Sequence, residues 1–153
     1  MMTPDPITIL VAEDDPDDRL LIADAFSESD LTCDLQYVHD GEQLMQYLHR
    51  QAPFDNDEAC PMPGLILLDL NMPLKDGREA LAEIKNNPDF RRIPTVIFTT
   101  SSEYADVFES YDNGGNSFVV KPATFTGLLE VVNSLRHYWL ETSELPNRTD
   151  DDD

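Results

Sequence analysis

Apolar residues in this chain fall in short runs that stop abruptly at polar ones. Ile7–Ala12 (ITILVA) is the first, and it ends at Glu13, Asp14 and Asp15. The run reads as a buried strand. Pro16 follows at a first helical turn, with Asp15 as its N-cap. Leu20, Leu21, Ala23, Ala25 and Phe26 then form a helical apolar stripe to about Ser29. Asp34–Val38 is a weaker, alternating strand. Asp40-Gly41 turns into a helix carrying Leu44, Met45, Tyr47 and Leu48. Residues 50–63 contain Pro53, Pro61 and Pro63 without periodicity and read as a long loop.

Gly64–Leu68 (GLILL) is the most hydrophobic strand and stops at Asp69. The turn-rich DLNMPLKDG loop leads to a helix over Arg78–Asn87, with Ala80, Leu81 and Ile84 inward. Pro94–Phe98 is another buried strand, ending at Thr99 and Thr100. Ser102–Asn113 is expected to be helical, with Ser102 the best cap, and Gly114-Gly115 breaks it. Ser117–Val120 is a last strand before Lys121-Pro122, and a final helix runs from Thr124 to about Glu141. Five βα units in succession predict an α/β fold, a doubly wound parallel sheet with helices on both faces. The crossovers are right-handed. The expected domain is 1–142, with 143–153 a flexible acidic C-terminal tail.

Charge narrows the functional classes. The 153 residues hold 31 Asp and Glu against 10 Lys and Arg, a net −21 of which the four terminal aspartates supply only four. Such a surface repels a phosphate backbone and anionic lipid, so neither nucleic acid nor membrane is an expected partner. It suits a cation or a basic partner. No apolar stretch approaches the ~18 residues of a membrane span, and MMTPDPITIL has no signal-peptide pattern. Cys33 and Cys60 lie in no metal-ligand spacing and read as reduced thiols of a cytoplasmic protein.

In a doubly wound sheet, ligands bind beyond the carboxyl ends of the strands. Here those ends carry Glu13 and Asp14, Asp69, Thr99 and Lys121. Clustered carboxylates raise one another's pKa, and a hard divalent ion relieves the repulsion. A carboxylate is a competent nucleophile toward phosphorus. A lysine and a hydroxyl neutralise charge on a transferring phosphoryl group. Metal site, nucleophile, cation and hydroxyl donor are all present.

The same residues carry a resemblance. VAEDDPDD (11–18), LLDLNMPLKDG (67–77), PTVIFTT (94–100) and SFVVKPA (117–123) resemble, in order and each at a strand end, the receiver domains of bacterial two-component response regulators. The resemblance spans roughly residues 6–140. It implies a flavodoxin-like five-stranded sheet of order 2-1-3-4-5. It implies Mg2+ bound by Glu13, Asp14, Asp69 and the backbone carbonyl of Asn71. It makes Asp69 the phosphoacceptor, Lys121 a phosphoryl contact, Thr99 the switch hydroxyl and Phe118 the rotating aromatic. The chemistry implied is the chain's own phosphorylation and dephosphorylation, with no separate substrate. The long 50–63 loop and the HYWLETSELP extension (137–146) are similar to small regulators that partner phytochrome histidine kinases.

A histidine kinase is therefore the expected partner, with a phosphotransfer protein a further one. Tyr138, Trp139 and Leu140 either cap the core or form a contact patch with Val107, Phe108 and Tyr111. The second reading suits a homodimer, since this family often pairs through its last two helices and last strand. Three rivals fare worse. A phosphate-independent adaptor would have a damaged site. A phosphatase with an aspartate nucleophile needs a second carboxylate where Asn71 stands. A flavin carrier needs a Ser-, Thr- and Gly-rich first loop in place of EDDPDD.

Overall fold

The computed structural model describes residues 6–29 and 33–146. Its strands are β1 (Ile7–Ala12), β2 (Cys33–Val38), β3 (Leu65–Leu68), β4 (Thr95–Thr99) and β5 (Ser117–Val120). The helices are α1 (Pro16–Glu28), α2 (Gly41–Leu48), α3 (Gly77–Lys85), α4 (Tyr104–Asp112) and α5 (Phe125–Leu135). All strand pairs are parallel, in the order β2-β1-β3-β4-β5, as expected. Among the described residues no helix is long and apolar enough to cross a membrane.

Alternation along each strand divides the core in two, because successive strand side chains point to opposite faces. Leu10, Ala12, Ile66, Leu68 and Ile97 face α2 and α3, where Leu44, Leu48, Leu81 and Ile84 meet them. Ile9, Val11, Leu65, Leu67, Val96 and Phe98 face α1 and α5, against Ile22, Phe26, Leu128 and Val132. β3 is buried on both faces at every position and is apolar throughout, which is why GLILL reads as a continuous run.

Caps start the helices. Asp15 accepts from the Asp17 amide at α1, and Asp40 accepts from the Gln43 amide at α2. Thr124 accepts from Gly127 at α5. Asp76 and Glu79 form a reciprocal capping box that starts α3 at Gly77. The D-x-x-E spacing was legible but reads locally as a turn. α4 departs from expectation. It starts at Tyr104 behind Glu103, which makes no side-chain cap. Ser102 is not the cap, because the neighbouring Ser101 hydroxyl is drawn to Asp106 and sets the loop's course.

The 50–63 segment is a loop, fastened at two points. The Tyr47 hydroxyl donates to the Pro61 carbonyl (2.7 Å) and Arg50 to that of Cys60 (2.6 Å). Phe54 and Met62 pack on the α2/α3 side of the core. The last helix is α-helical only to Leu135 and continues as a π-helical segment, Arg136–Thr142. The wider turn is closed by the Ser143 amide on the Tyr138 carbonyl (2.7 Å). Leu145, within the stretch expected as a tail, is buried, and residues 147–153 lie outside the described ones.

Candidate functional site

Ladder bonds place the strand ends side by side. The Asp69 amide donates to the Ala12 carbonyl (3.1 Å), the Glu13 amide to Val38 (3.0 Å) and the Lys121 amide to Thr99 (2.7 Å). Glu13, Asp69 and Thr99 are buried, whereas Asp14 is exposed. Arg19 of α1 donates to the Glu13 carbonyl (2.8 Å) and holds the β1–α1 turn. The Asn71 amide donates to Asp69 Oδ1 (3.1 Å), closing the start of the next loop over the carboxylate.

Ligand atoms of Glu13, Asp14 and Asp69 lie within 4.8 Å of one another. An all-oxygen anionic set, two of its members buried and one exposed, fits a hard divalent cation that keeps water on its open side. Lys121 Nζ supplies the opposing charge. It bonds Glu13 Oε1, Asp18 Oδ2 (2.9 Å) and Asp69 Oδ2 (3.2 Å). These three bonds use every donor an ammonium has.

Burial pushes the Glu13 carboxyl up to about 7. The Lys121 hydrogen bond opposes that shift, and the Asp69 charge reinforces it. Burial works against the charge on Lys121, but the hydrogen bonds to Glu13 and Asp18 and the nearby carboxylates outweigh it and raise its pKa. Lys121 is accordingly an ammonium throughout the physiological range.

Asp18 is a first-turn carboxylate of α1, a position that suits the helix dipole and by itself suggests nothing more. Its partner lies 103 positions away, and no local pattern links two such residues. A second group also escaped the sequence. Asp106 on α4 accepts from Ser101 Oγ (2.6 Å) and from Arg78 Nη2 (2.9 Å) and Nε (3.1 Å) at the start of α3. The Ser101 amide in turn points at Thr99 Oγ1 (3.5 Å). The loop that follows the expected switch hydroxyl is thus tied to two helices.

The Ser101 hydrogen bond, opposed by burial and helped by Arg78, holds the Asp106 carboxyl below its ordinary 3.8. Across that range the folded state binds fewer protons than the unfolded state. The stabilisation is therefore complete above the unfolded value and disappears as pH falls through the folded one. Asp106→Asn is expected to cost about 1.5 kcal/mol at pH 7, the low end for a hydrogen bond to a charged group. The difference from wild type should shrink below pH 3.8. Urea midpoints at pH 7, 5 and 3 check it, and a gap that persists unchanged at pH 3 would contradict this account.

The other expected positions separate. Phe118 is partly buried and already packs on the α2/α3 side of the core. Trp139 and Leu140 pack on the α1/α5 side. Tyr138, T-shaped against Trp139, stays exposed. Val107, Phe108 and Tyr111 line a depression on α4 with Tyr104. Tyr138 and Trp139 belong to another groove, of about 870 Å³, with Val119, Gly127 and Val131. Cys33 and Cys60 are free thiols.

Residues 9–133 match the response regulator receiver domain family. Response regulator Rcp1 of Synechocystis sp. is 42% identical over 141 residues, 92% of this chain and 94% of that protein. The crystal structure of the phosphorylated cyanobacterial phytochrome response regulator RcpA is similar with a TM-score of 0.85 and 40% identity, over 92% of this chain and 99% of that one. The Mn(2+)-bound form of Rcp1 is similar with a TM-score of 0.83 and 42% identity, over 92% and 99% of the two chains. With its sheet order and its strand-end carboxylates, the chain belongs to the response regulator receiver domain family and is a receiver-domain regulator of two-component signalling.

Proposed function

We propose that Asp69 accepts a phosphoryl group from a histidine kinase and that the chain then signals through protein contacts. The observation that carries this reading is Asp69 itself, a buried carboxylate within 4.8 Å of the ligand atoms of Glu13 and Asp14 and bonded to Lys121. A carboxylate oxygen attacks phosphorus while the bond from phosphorus to the donor's histidine nitrogen breaks. Lys121 passes a hydrogen bond from Asp69 to a phosphoryl oxygen, and the Thr99 hydroxyl donates to another. Glu13, Asp14, Asp69 and the Asn71 carbonyl would hold Mg2+, whose chemistry is to neutralise charge on the phosphoryl oxygens.

Phosphorylation adds charge and acceptor oxygens at one end of the sheet. It biases two states of the domain by its differential contacts with each. Thr99 moving inward would pull on the Ser101–Asp106 tie and so on α4, while Phe118 adjusts against the core. The partner kinase is of the phytochrome type, a reading supported by the similarity to RcpA, a phytochrome response regulator. A phosphotransfer protein is a second recipient. The exposed rings of Phe108 and Tyr111 on α4 and of Tyr138 support a homodimer. Light scattering that returns a monomer both with and without beryllofluoride would remove the dimer.

The test of the central claim is incubation with acetyl phosphate. A mass gain of one phosphoryl group that needs Mg2+, mapped to the peptide containing Asp69 after borohydride reduction, is the expected result. No adduct, or one on another residue, would refute it.

A further inference from the structure

The three carboxylates on Lys121 are not equivalent. Glu13 and Asp69 also belong to the trio whose ligand atoms converge within 4.8 Å, and Asp18 does not. A carboxylate that ligates a divalent ion gives lone pairs and charge to it, which weakens its hold on an ammonium nearby. Asp69 changes further on phosphorylation, when its lysine bond passes to a phosphoryl oxygen. The contact from Asp18 Oδ2 at 2.9 Å is the one that neither event consumes.

We propose that Asp18 is a positioning residue for Lys121, the anchor that keeps the ammonium over Asp69 once Glu13 and Asp69 are engaged elsewhere. The proposal rests on the reading of Asp69 as phosphoacceptor. Lysine has a long flexible stem, and a single fixed acceptor restricts where its charge sits. Asp18 suits that task. It stands in the first turn of α1, behind the Asp15 cap and Pro16. Its side chain is only about one-third exposed (34%) and its partner's is 10% exposed. Asp17, beside it in the same turn, is exposed. If Asp18 served the helix dipole alone, the two aspartates would be interchangeable.

The experiment compares wild type with Asp18→Ala, Asp18→Glu and Asp17→Ala. Phosphorylation by acetyl phosphate is followed at saturating Mg2+, and Mg2+ affinity is measured separately by calorimetry. Asp18→Ala should slow phosphorylation about tenfold, the order carried by one hydrogen bond to a charged group. Its Mg2+ dissociation constant should stay within about twofold of wild type, since no ion ligand is removed. Asp18→Glu should recover most of the rate, and Asp17→Ala should behave as wild type. An Asp18→Ala protein that phosphorylates normally would overturn the proposal. So would equal slowing in Asp17→Ala, or a defect that arises only from weaker Mg2+ binding. Wild type that gains no adduct on Asp69 would instead sink the phosphoacceptor reading, and this inference with it.

Discussion

Asp69→Asn should lose the Mg2+-dependent phosphoryl adduct altogether, a fall of at least about a hundredfold, because a neutral amide oxygen is a far weaker nucleophile than a carboxylate. The replacement keeps the volume, so the fold should survive. It cannot keep both hydrogen bonds. Asp69 Oδ1 accepts from the Asn71 amide and Oδ2 from Lys121. An asparagine has one oxygen for the two donors and turns its NH2 toward the other. The variant also removes one of three converging carboxylates. Anything that binds only the native state raises its apparent stability, so the upward shift of Tm on adding Mg2+ should shrink in the same protein. Intact-mass spectrometry after acetyl phosphate and a pair of thermal melts read the two effects. Labelling of Asp69→Asn at the wild-type level would place the phosphoacceptor elsewhere.

Gly77→Ala is expected to destabilise the fold by at least about 3 kcal/mol, above the usual range for added core volume. A Cβ at this position would lie 2.1 Å from the carbonyl oxygen of Asp69 and 2.7 Å from Leu70 Cα. Both neighbours are backbone, so no side-chain rotation relieves the clash. The glycine is there for close approach. Its amide donates to the Leu70 carbonyl (2.9 Å), which folds the loop from Asp69 back onto itself and starts α3 beside the site. The relief available is movement of the Asp69 backbone, so phosphorylation should fall along with stability. Urea unfolding and acetyl phosphate labelling measure the pair. A variant within about 1 kcal/mol of wild type, well below the usual cost of a backbone clash, would show that the loop has more room than this packing implies.

Particular residues show which information was local. The run GLILL announced a strand buried on both faces, because a strand with no solvent face has no polar positions to spare. EDDPDD after ITILVA and Asp69 after LILL announced the carboxylates at strand ends, because a parallel sheet brings all such ends to one edge. Asp15, Asp40 and Thr124 cap helices as their types suggest, and the last helix, expected to about Glu141, runs to Thr142 but changes from α to π past Leu135. Ser102 misled because a good capping side chain is a local preference, whereas the start of α4 depends on Asp106 reaching back to Ser101 and across to Arg78.

By itself, the order of apolar and polar residues determined the five βα units, the parallel sheet and the edge where chemistry collects, since each follows from periodicity over a few residues. Tertiary structure alone decided that Lys121 sits among Glu13, Asp18 and Asp69, that Asp106 binds the loop after Thr99, and that Leu145 is buried. Those contacts join residues far apart in the chain. Their free energy depends on where the sheet and helices carry each side chain, which short-range preference does not encode.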